Sequence, residues 1–357
     1  MNGYQRINAV LNGQWPDKRP VMLHNFLMAI HEAGVSHAQY RSDPEIVAKV
    51  HIAAAEKYGV DGVMIDVDTV TLAEAVGVPV DHPENDPARS HEASLTSIEQ
   101  VDDLEAIDLG KNERVQVWVE GVRLIKEYFG EEKFVRGNCD QAPFSLASMM
   151  RTPNEWMMDL VMEENHERVF KLLDYCTDVT SQFIRLMAQT GADMVSNGDS
   201  PAGPAMISPA MYREFALPYE KRVVEIAHEC GLPYMLHICG DTTSILAAMK
   251  ESGTDSIELD YGTDIQAVHD VFGNDVVFSG CIDPSGVLLQ GTPELVAAKT
   301  QEVLDIYADS PAYIVNAGCA VPTLTPEENL RALVETAHNT EISPREVRRK
   351  DGTRQLV

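Results

Sequence analysis

The sequence predicts a single (β/α)8 barrel carrying helical insertions, and three observations support this. Eight short runs rich in apolar and β-branched residues alternate with longer segments of helical period. The runs are near-continuous in hydrophobicity, as expected of parallel strands covered by helices on both faces. No Gly/Ser/Pro-rich linker divides the 357 residues. The rival architecture, a doubly wound open sheet, needs a glycine-rich phosphate turn after its first strand, and "HNFLMAIHEAG" has none.

The strands are expected, in order, at "PVMLHNF" (20–26), "GVMIDV" (62–67), "FVRGNC" (134–139) and "DMVSNGD" (193–199). "PYMLHIC" (233–239), "SIELDY" (256–261), "VVFSGCI" (276–282) and "AYIVNAGC" (312–319) follow. Between them the helices announce their starts with Ser, Thr or Asp at the cap and Pro in the first turn. Examples are "SDPEIVAKVHIAAAEKYG", "SPAMYREFALPYEKRVVEIAHECG" (208–231), "TPELVAAKTQEVLDIYA" (292–308) and "TPEENLRALVETAH" (325–338); "TTSILAAMKESG" (242–253) is a shorter one. Two stretches, 80–130 and 141–191, exceed a minimal strand–helix unit and read as insertions. The expected organisation is a barrel over 1–340 and a basic tail over 341–357, where "PREVRRKDGTR" holds five basic residues.

Composition narrows the partners. With 28 basic and 56 acidic residues the formal net charge is −28, which repels a phosphate backbone and argues against nucleic acid. No apolar run approaches a membrane span, and the first twenty residues lack the pattern of a signal peptide. The expectation is a cytoplasmic protein whose six cysteines are thiols.

In this architecture the chemistry collects where the strands end. Those ends present His24 and Asn25; Asp66 and Asp68; Asn138, Cys139 and Asp140; Asn197 and Asp199. They continue with His237 and Cys239, then Glu258, then Cys281, then Asn316 and Cys319. So many polar groups on one ring are costly to desolvate without partners, and a divalent metal would compensate them. His237 and Cys239, two apart in "LHICGD", leave the same face of an extended segment. One more thiolate from another strand would make three ligands and leave a fourth position open, the pattern of a catalytic zinc. Cys281 and Cys319 both remain open for that role. Cys176 and Cys230 read as small core residues and Cys139 as site lining.

"LHICGDTTSIL" together with "NAGCAVPTLTPEENLRAL" resembles the H-x-C…C zinc signature of methylcobalamin:coenzyme M methyltransferases, within the uroporphyrinogen decarboxylase superfamily. "CDQAPFSLASMM", "GDSPAGPAMISPAMYREFALPYEKRV" and "SGCIDPSGVLLQGTPELV" extend the resemblance over roughly 20–340. It implies His237, Cys239 and Cys319 as zinc ligands, with Cys281 standing where the family usually has Asn. It also implies a corrinoid (cobalamin) carried by a separate protein, since no "D-x-H-x-x-G" cobalamin-binding pattern occurs. The decarboxylase branch fits less well, because no arginine follows the first strand, although Asp68 falls where that branch has its catalytic aspartate.

Asp66, Asp68 and Asp199 are the expected catalytic carboxylates, holding a hydroxyl or a proton. His24, Asn25, Asn138, Cys139, Asn197, Glu258 and Cys281 are expected to line the substrate site. No cation stands at the strand ends, Arg136 being inside a strand and Arg151 in a later turn. That absence, with a cluster of methionines (Met149, Met150, Met157, Met158, Met162), favours a neutral O-methyl donor such as a methoxyaromatic. Methylation of a coenzyme M thiol is the alternative, ahead of a decarboxylase or a non-enzymatic zinc scaffold.

Overall fold

The structure is a computed structural model that describes residues 1–342 and two short backbone strands beyond them. Eight parallel strands pair in chain order, so each strand neighbours its successor. They are β1 (Met22–Leu23), β2 (Gly62–Ile65), β3 (Phe134–Gln141) and β4 (Met194–Gly198), then β5 (Tyr234–Ile238), β6 (Ser256–Leu259), β7 (Val277–Ile282) and β8 (Tyr313–Ala317). A parallel bridge between Val21 and Val315 closes the ring. The fold is the (β/α)8 barrel that the sequence predicts.

β1 is far shorter than 20–26 suggests, for a local reason. The His24 amide leaves the ladder and donates to the Asn316 side chain at 3.2 Å, and a helix starts at Phe26. Helix starts follow the expected capping chemistry. Asp43 accepts from the amides of Glu45 and Ile46 ahead of Pro44–Tyr58, and Gly59, with φ of 66°, ends that helix. Thr292 caps Pro293–Ile306 in the same way. The insertion at 141–191 folds as three helices (Pro143–Arg151, Pro153–Val161 and His166–Ala188) on the outside of β3 and β4. The methionines expected near a substrate lie there instead: Met150 is buried in the helical layer, while Met158 and Met162 are exposed.

Inside the barrel the residues fall into layers, because side chains on one face recur every second position. At the N-terminal end, Met22, Met64, Phe134, Met194 and Met235 form an apolar layer, and Ile7 and Val10 of the first helix (Gly3–Leu11) pack onto it as a plug. Asp61 anchors that plug, accepting from Arg6 Nη1 (2.8 Å), the Val21 amide (2.9 Å) and His338 Nε2 (2.8 Å). One step up, the same faces carry Arg136, Ser196 and Glu258. About half of the tail at 341–357 lies outside the described residues; beyond residue 342 the backbone of β9 (Glu346–Arg348) pairs with that of β10 (Arg354–Leu356). Among the described residues no helix is long and apolar enough to cross a membrane.

Candidate metal centre and active-site cavity

A cavity of about 290 Å³ opens at the C-terminal end of the strands. On one wall His237 and Cys239 rise from the end of β5, and Cys319 reaches back from the loop after β8. His237 Nε2 lies 3.0 Å from Cys239 Sγ, which lies 3.8 Å from Cys319 Sγ. The three ligand atoms all fall within 4.8 Å of one another. The imidazole is held from behind: His237 Nδ1 is 3.1 Å from the Glu258 carbonyl and 3.3 Å from Glu258 Oε1. A hydrogen on Nδ1 leaves the Nε2 lone pair for an ion, the usual arrangement of a metal-bound histidine with an outer oxygen partner.

The ligand groups act strongly on one another: the contact between the two sulfurs lowers the Cys239 thiol and raises that of Cys319. A hydrogen bond with Cys319 outweighs burial, and together with His237 it lowers the Cys239 thiol to about 3. Burial opposes charge on His237, but the Cys239 sulfur and Glu258 overcome it and raise the imidazole to about 9. Glu258 is fully buried, which would push it up, yet Arg136 and His237 hold it down to about 2. Two sulfurs and one imidazole suit zinc better than magnesium or calcium, and three protein ligands facing a cavity leave a coordination position for something that enters it.

Seven of the residues expected at the site line this cavity: His24, Asp66, Asn138, His237, Cys239, Glu258 and Cys319. Across from the metal ligands, His24 Nε2 lies 2.8 Å from Asp66 Oδ2. Asp66 Oδ1 and His24 Nδ1 have no protein partner.

Six others are not brought to it. Asn25, Cys139 and Asn197 sit one position off the inward register and face away from the cavity. Asn197 there donates to the Cys139 carbonyl at 2.6 Å and accepts from Tyr234 Oη at 3.0 Å. Burial raises the Cys139 thiol well above its ordinary value. Cys281 is packed near Tyr307 and Tyr313, and burial lifts its thiol to about 12. Asp68 is spent on structure: it accepts from the Val70 amide and Thr71 Oγ1, both at 2.9 Å, and pairs with Arg114. Asp199 accepts from the amide and hydroxyl of Ser145 at 2.8 and 2.6 Å, buried beside Glu220.

Two contributors, Arg136 and Ser200, were not anticipated, and Asp140, an acid expected at the end of β3, joins them. Arg136 lines the cavity, so the expectation of a site without a cation is corrected. Ser200 lines it too, and its Oγ accepts from the Cys239 amide at 3.3 Å. Asp140, with φ of 56°, accepts from the Leu72 amide at 2.7 Å, and burial raises its carboxyl well above the ordinary value. The inward parity of β3 was the available signal for Arg136, two positions before Asn138.

An open His/Cys/Cys triad at the C-terminal mouth of a (β/α)8 barrel is an arrangement that could hold a catalytic metal, in a fold whose enzymes carry their chemistry at that end. More particularly, the chain belongs to the uroporphyrinogen decarboxylase (URO-D) family, whose model matches residues 3–340, and it is an enzyme of that family's methyltransferase branch. It is 30% identical to the methylcobamide:CoM methyltransferase MtbA of Methanosarcina mazei, covering 94% of this chain and 97% of that protein. The same enzyme of Methanosarcina acetivorans is 29% identical with the same coverage. A uroporphyrinogen decarboxylase of Nocardia farcinica is 28% identical over 92% of this chain and 94% of its own. Among solved structures, a methyltransferase from Methanosarcina mazei superposes with a TM-score of 0.81 at 22% identity, over 94% of this chain and 98% of that one, which supports the fold.

Proposed function

We propose that this enzyme moves a methyl group between a corrinoid carried by a partner protein and a small thiol, with zinc held by His237, Cys239 and Cys319. The observation that carries the reading is the triad itself: three clustered soft ligands on one wall of a cavity too small for a corrin ring. Bound zinc would hold an incoming thiol as its thiolate, the competent nucleophile towards a methyl group. The chain's own residues orient and shield. Glu258 keeps the His237 ring in place from behind, and Ser200 tethers the Cys239 backbone. His24, held by Asp66 on the opposite wall, is the group proposed to take the proton that the thiol gives up. The corrinoid must approach from the mouth. There the loops after β4, β6 and β8 expose Met206, Tyr261 and Leu324, a surface suited to a partner protein.

The thiol reading is preferred to the O-methyl donor. The names of the methyltransferase relatives print coenzyme M as their acceptor, and the argument for a neutral donor rested on the absence of a cation. An O-methyl substrate stays as a second reading because Phe26, Leu27 and Pro87, with Met64 of the apolar layer beneath as part of the floor, make part of the cavity lining apolar. A tetrapyrrole decarboxylase gains no support: among the described residues Arg136 is the one arginine lining the cavity. The test is incubation of zinc-loaded protein with methylcobalamin and 2-mercaptoethanesulfonate. Thioether detected by mass spectrometry, with loss of methylcobalamin absorbance, is the expected result. Cob(I)alamin methylated from methoxyaromatics, with no thiol reaction, would transfer the assignment to the second reading.

A further inference from the structure

One stretch of the cavity rim is held mainly by polar contacts. Asp81 and Arg89 pair as a short antiparallel bridge, the Asp81 amide donating to the Arg89 carbonyl at 2.8 Å and the Arg89 amide back to Asp81 at 3.2 Å. The loop between them reaches the cavity, which Pro87 lines. Ala88 is buried and Pro83 half-buried, while the other residues of 81–89 are exposed. Little apolar area therefore holds this strap down, and it is fastened from two sides. On one side the Ala38 amide donates to the Glu84 carbonyl at 3.0 Å. Arg41 adds Nη1 to the Asp86 carbonyl at 3.2 Å and Nη2 to the carbonyl of Pro83. On the other side His82 Nε2 lies 2.8 Å from Glu74 Oε1.

The second fastening continues inward. Glu74 Oε2 accepts from Arg114 Nη1 at 2.8 Å, and Arg114 Nη2 pairs with Asp68. Asp68 is buried and adjoins Thr69, which lines the cavity. A chain of side chains thus runs from the cavity edge through Asp68, Arg114 and Glu74 to His82 on the strap. An exposed carbonyl or ion pair exchanges its protein partner for water at small net cost, which buried apolar area cannot do. Segments held this way are the ones that open first. We infer that residues 81–89 are a lid over the cavity, latched by Arg41 on one side and by the Asp68–Arg114–Glu74–His82 chain on the other. The lid swings out to admit a small ligand and closes over it. The bridge at its base lets it move as one piece, pivoting on the flanking residues. Closure shields the buried charges of the cavity from water once the ligand is in. Asp68, past the end of β2, then serves the lid rather than the ligand.

The latch is tested without substrate, and the gating with thiol probes; only the second test rests on the thiol reading above. In limited trypsinolysis of the zinc-loaded protein, a cut after the exposed Arg89 requires the strap to detach. Arg41→Gln and Glu74→Ala should each accelerate that cut about tenfold, through loss of hydrogen bonds to a charged group, with cuts elsewhere unchanged. A cut after Arg89 that neither substitution accelerates overturns the latch. For the gating, cobalt(II)-substituted protein is mixed rapidly with 2-mercaptoethanol or 2-mercaptoethanesulfonate and the thiolate-to-cobalt absorption is followed. An opening step before binding makes the observed rate level off at high thiol, at one plateau for both thiols, and the two substitutions should raise it. Rates that climb linearly with thiol concentration, or plateaus that differ between the thiols, show a fixed rim and overturn the lid. The wild-type plateau decides this even where a variant fails to fold. No absorption change with either thiol removes the thiol reading alone, and the proteolysis then decides the lid.

Discussion

The two ends of the barrel lumen are built from the same strands and the same inward faces, yet they do opposite work. At the N-terminal end Met22, Met64, Phe134, Met194 and Met235 meet Ile7 and Val10, and the lumen is closed by apolar packing. Two residues further along those strands the positions are His24, Asp66, Arg136, Ser196 and His237. The switch takes one turn of the pleat. The apolar end supplies stability without chemistry. The polar end keeps charged groups buried, and it can do so because each is paired: Arg136 with Glu258, His24 with Asp66. Stability and reactivity are therefore separable along the barrel axis, and substitutions at the two ends should report on different quantities.

The largest separation is expected at the metal wall. Cys239→Ser and Cys319→Ser each replace a thiolate by a weak neutral ligand. Each should lower zinc affinity by more than the roughly 10–100-fold that follows loss of an outer partner. Cys281→Ser, directed away from the cavity, should retain a full equivalent. Zinc analysis of the three purified variants checks this, and retention by Cys319→Ser would remove it from the ligand set.

At the opposite end, Phe134→Ala should cost about 3–5 kcal/mol of stability, as for a fully buried aromatic. Zinc content of the folded fraction should not change. Urea denaturation read together with metal analysis tests whether the ends are independent; a variant that loses metal while still folded would break the comparison.

A smaller effect separates a buried structural acid from the acids of the cavity. Burial raises Asp199 to about 6 from an ordinary 3.8. The folded state then holds a proton that the unfolded chain has released, so stability falls as pH rises between these values. The change is on the order of 3 kcal/mol at most. Asp199→Asn should flatten the dependence of the urea midpoint on pH across about pH 4–6. An unchanged slope would show that Asp199 is not the group responsible.

The smallest effect is expected on the rim. Leu324, 70% exposed, is the most exposed of the large apolar residues around the mouth. Leu324→Asp should raise KM severalfold for a methylated corrinoid protein while leaving free methylcobalamin unaffected. Equal losses with both donors would mean that the residue serves the cavity rather than a docking surface.

Much of this site could be read from the chain. The H-x-C spacing set two ligands on one face, and the family resemblance chose Cys319 over Cys281, a choice consistent with where the structure puts each sulfur. Other residues were placed by proximity to a strand end alone. Asn25, Cys139 and Asn197 were grouped with the site although each is one position out of register with His24, Asn138 or Gly198, and a period of two sends them to the helical side. Asp68 keeps the inward parity of Met64 and Asp66 but lies past the end of β2, where the chain has turned and the carboxylate caps Val70 and Thr71 instead.

From the sequence alone came the eight strand–helix units, their order and the H-x-C pair, because hydrophobic period, capping residues and ligand spacing are local properties of the chain. Barrel closure decided the rest. It brought Cys319 within 3.8 Å of Cys239 across 80 residues of chain, and it joined Arg136 of β3 to Glu258 of β6 across 122. Parity along a strand fixes which side chains point inward, but the stagger between strands fixes which of them meet. That stagger belongs to the closed sheet, and no single segment contains it.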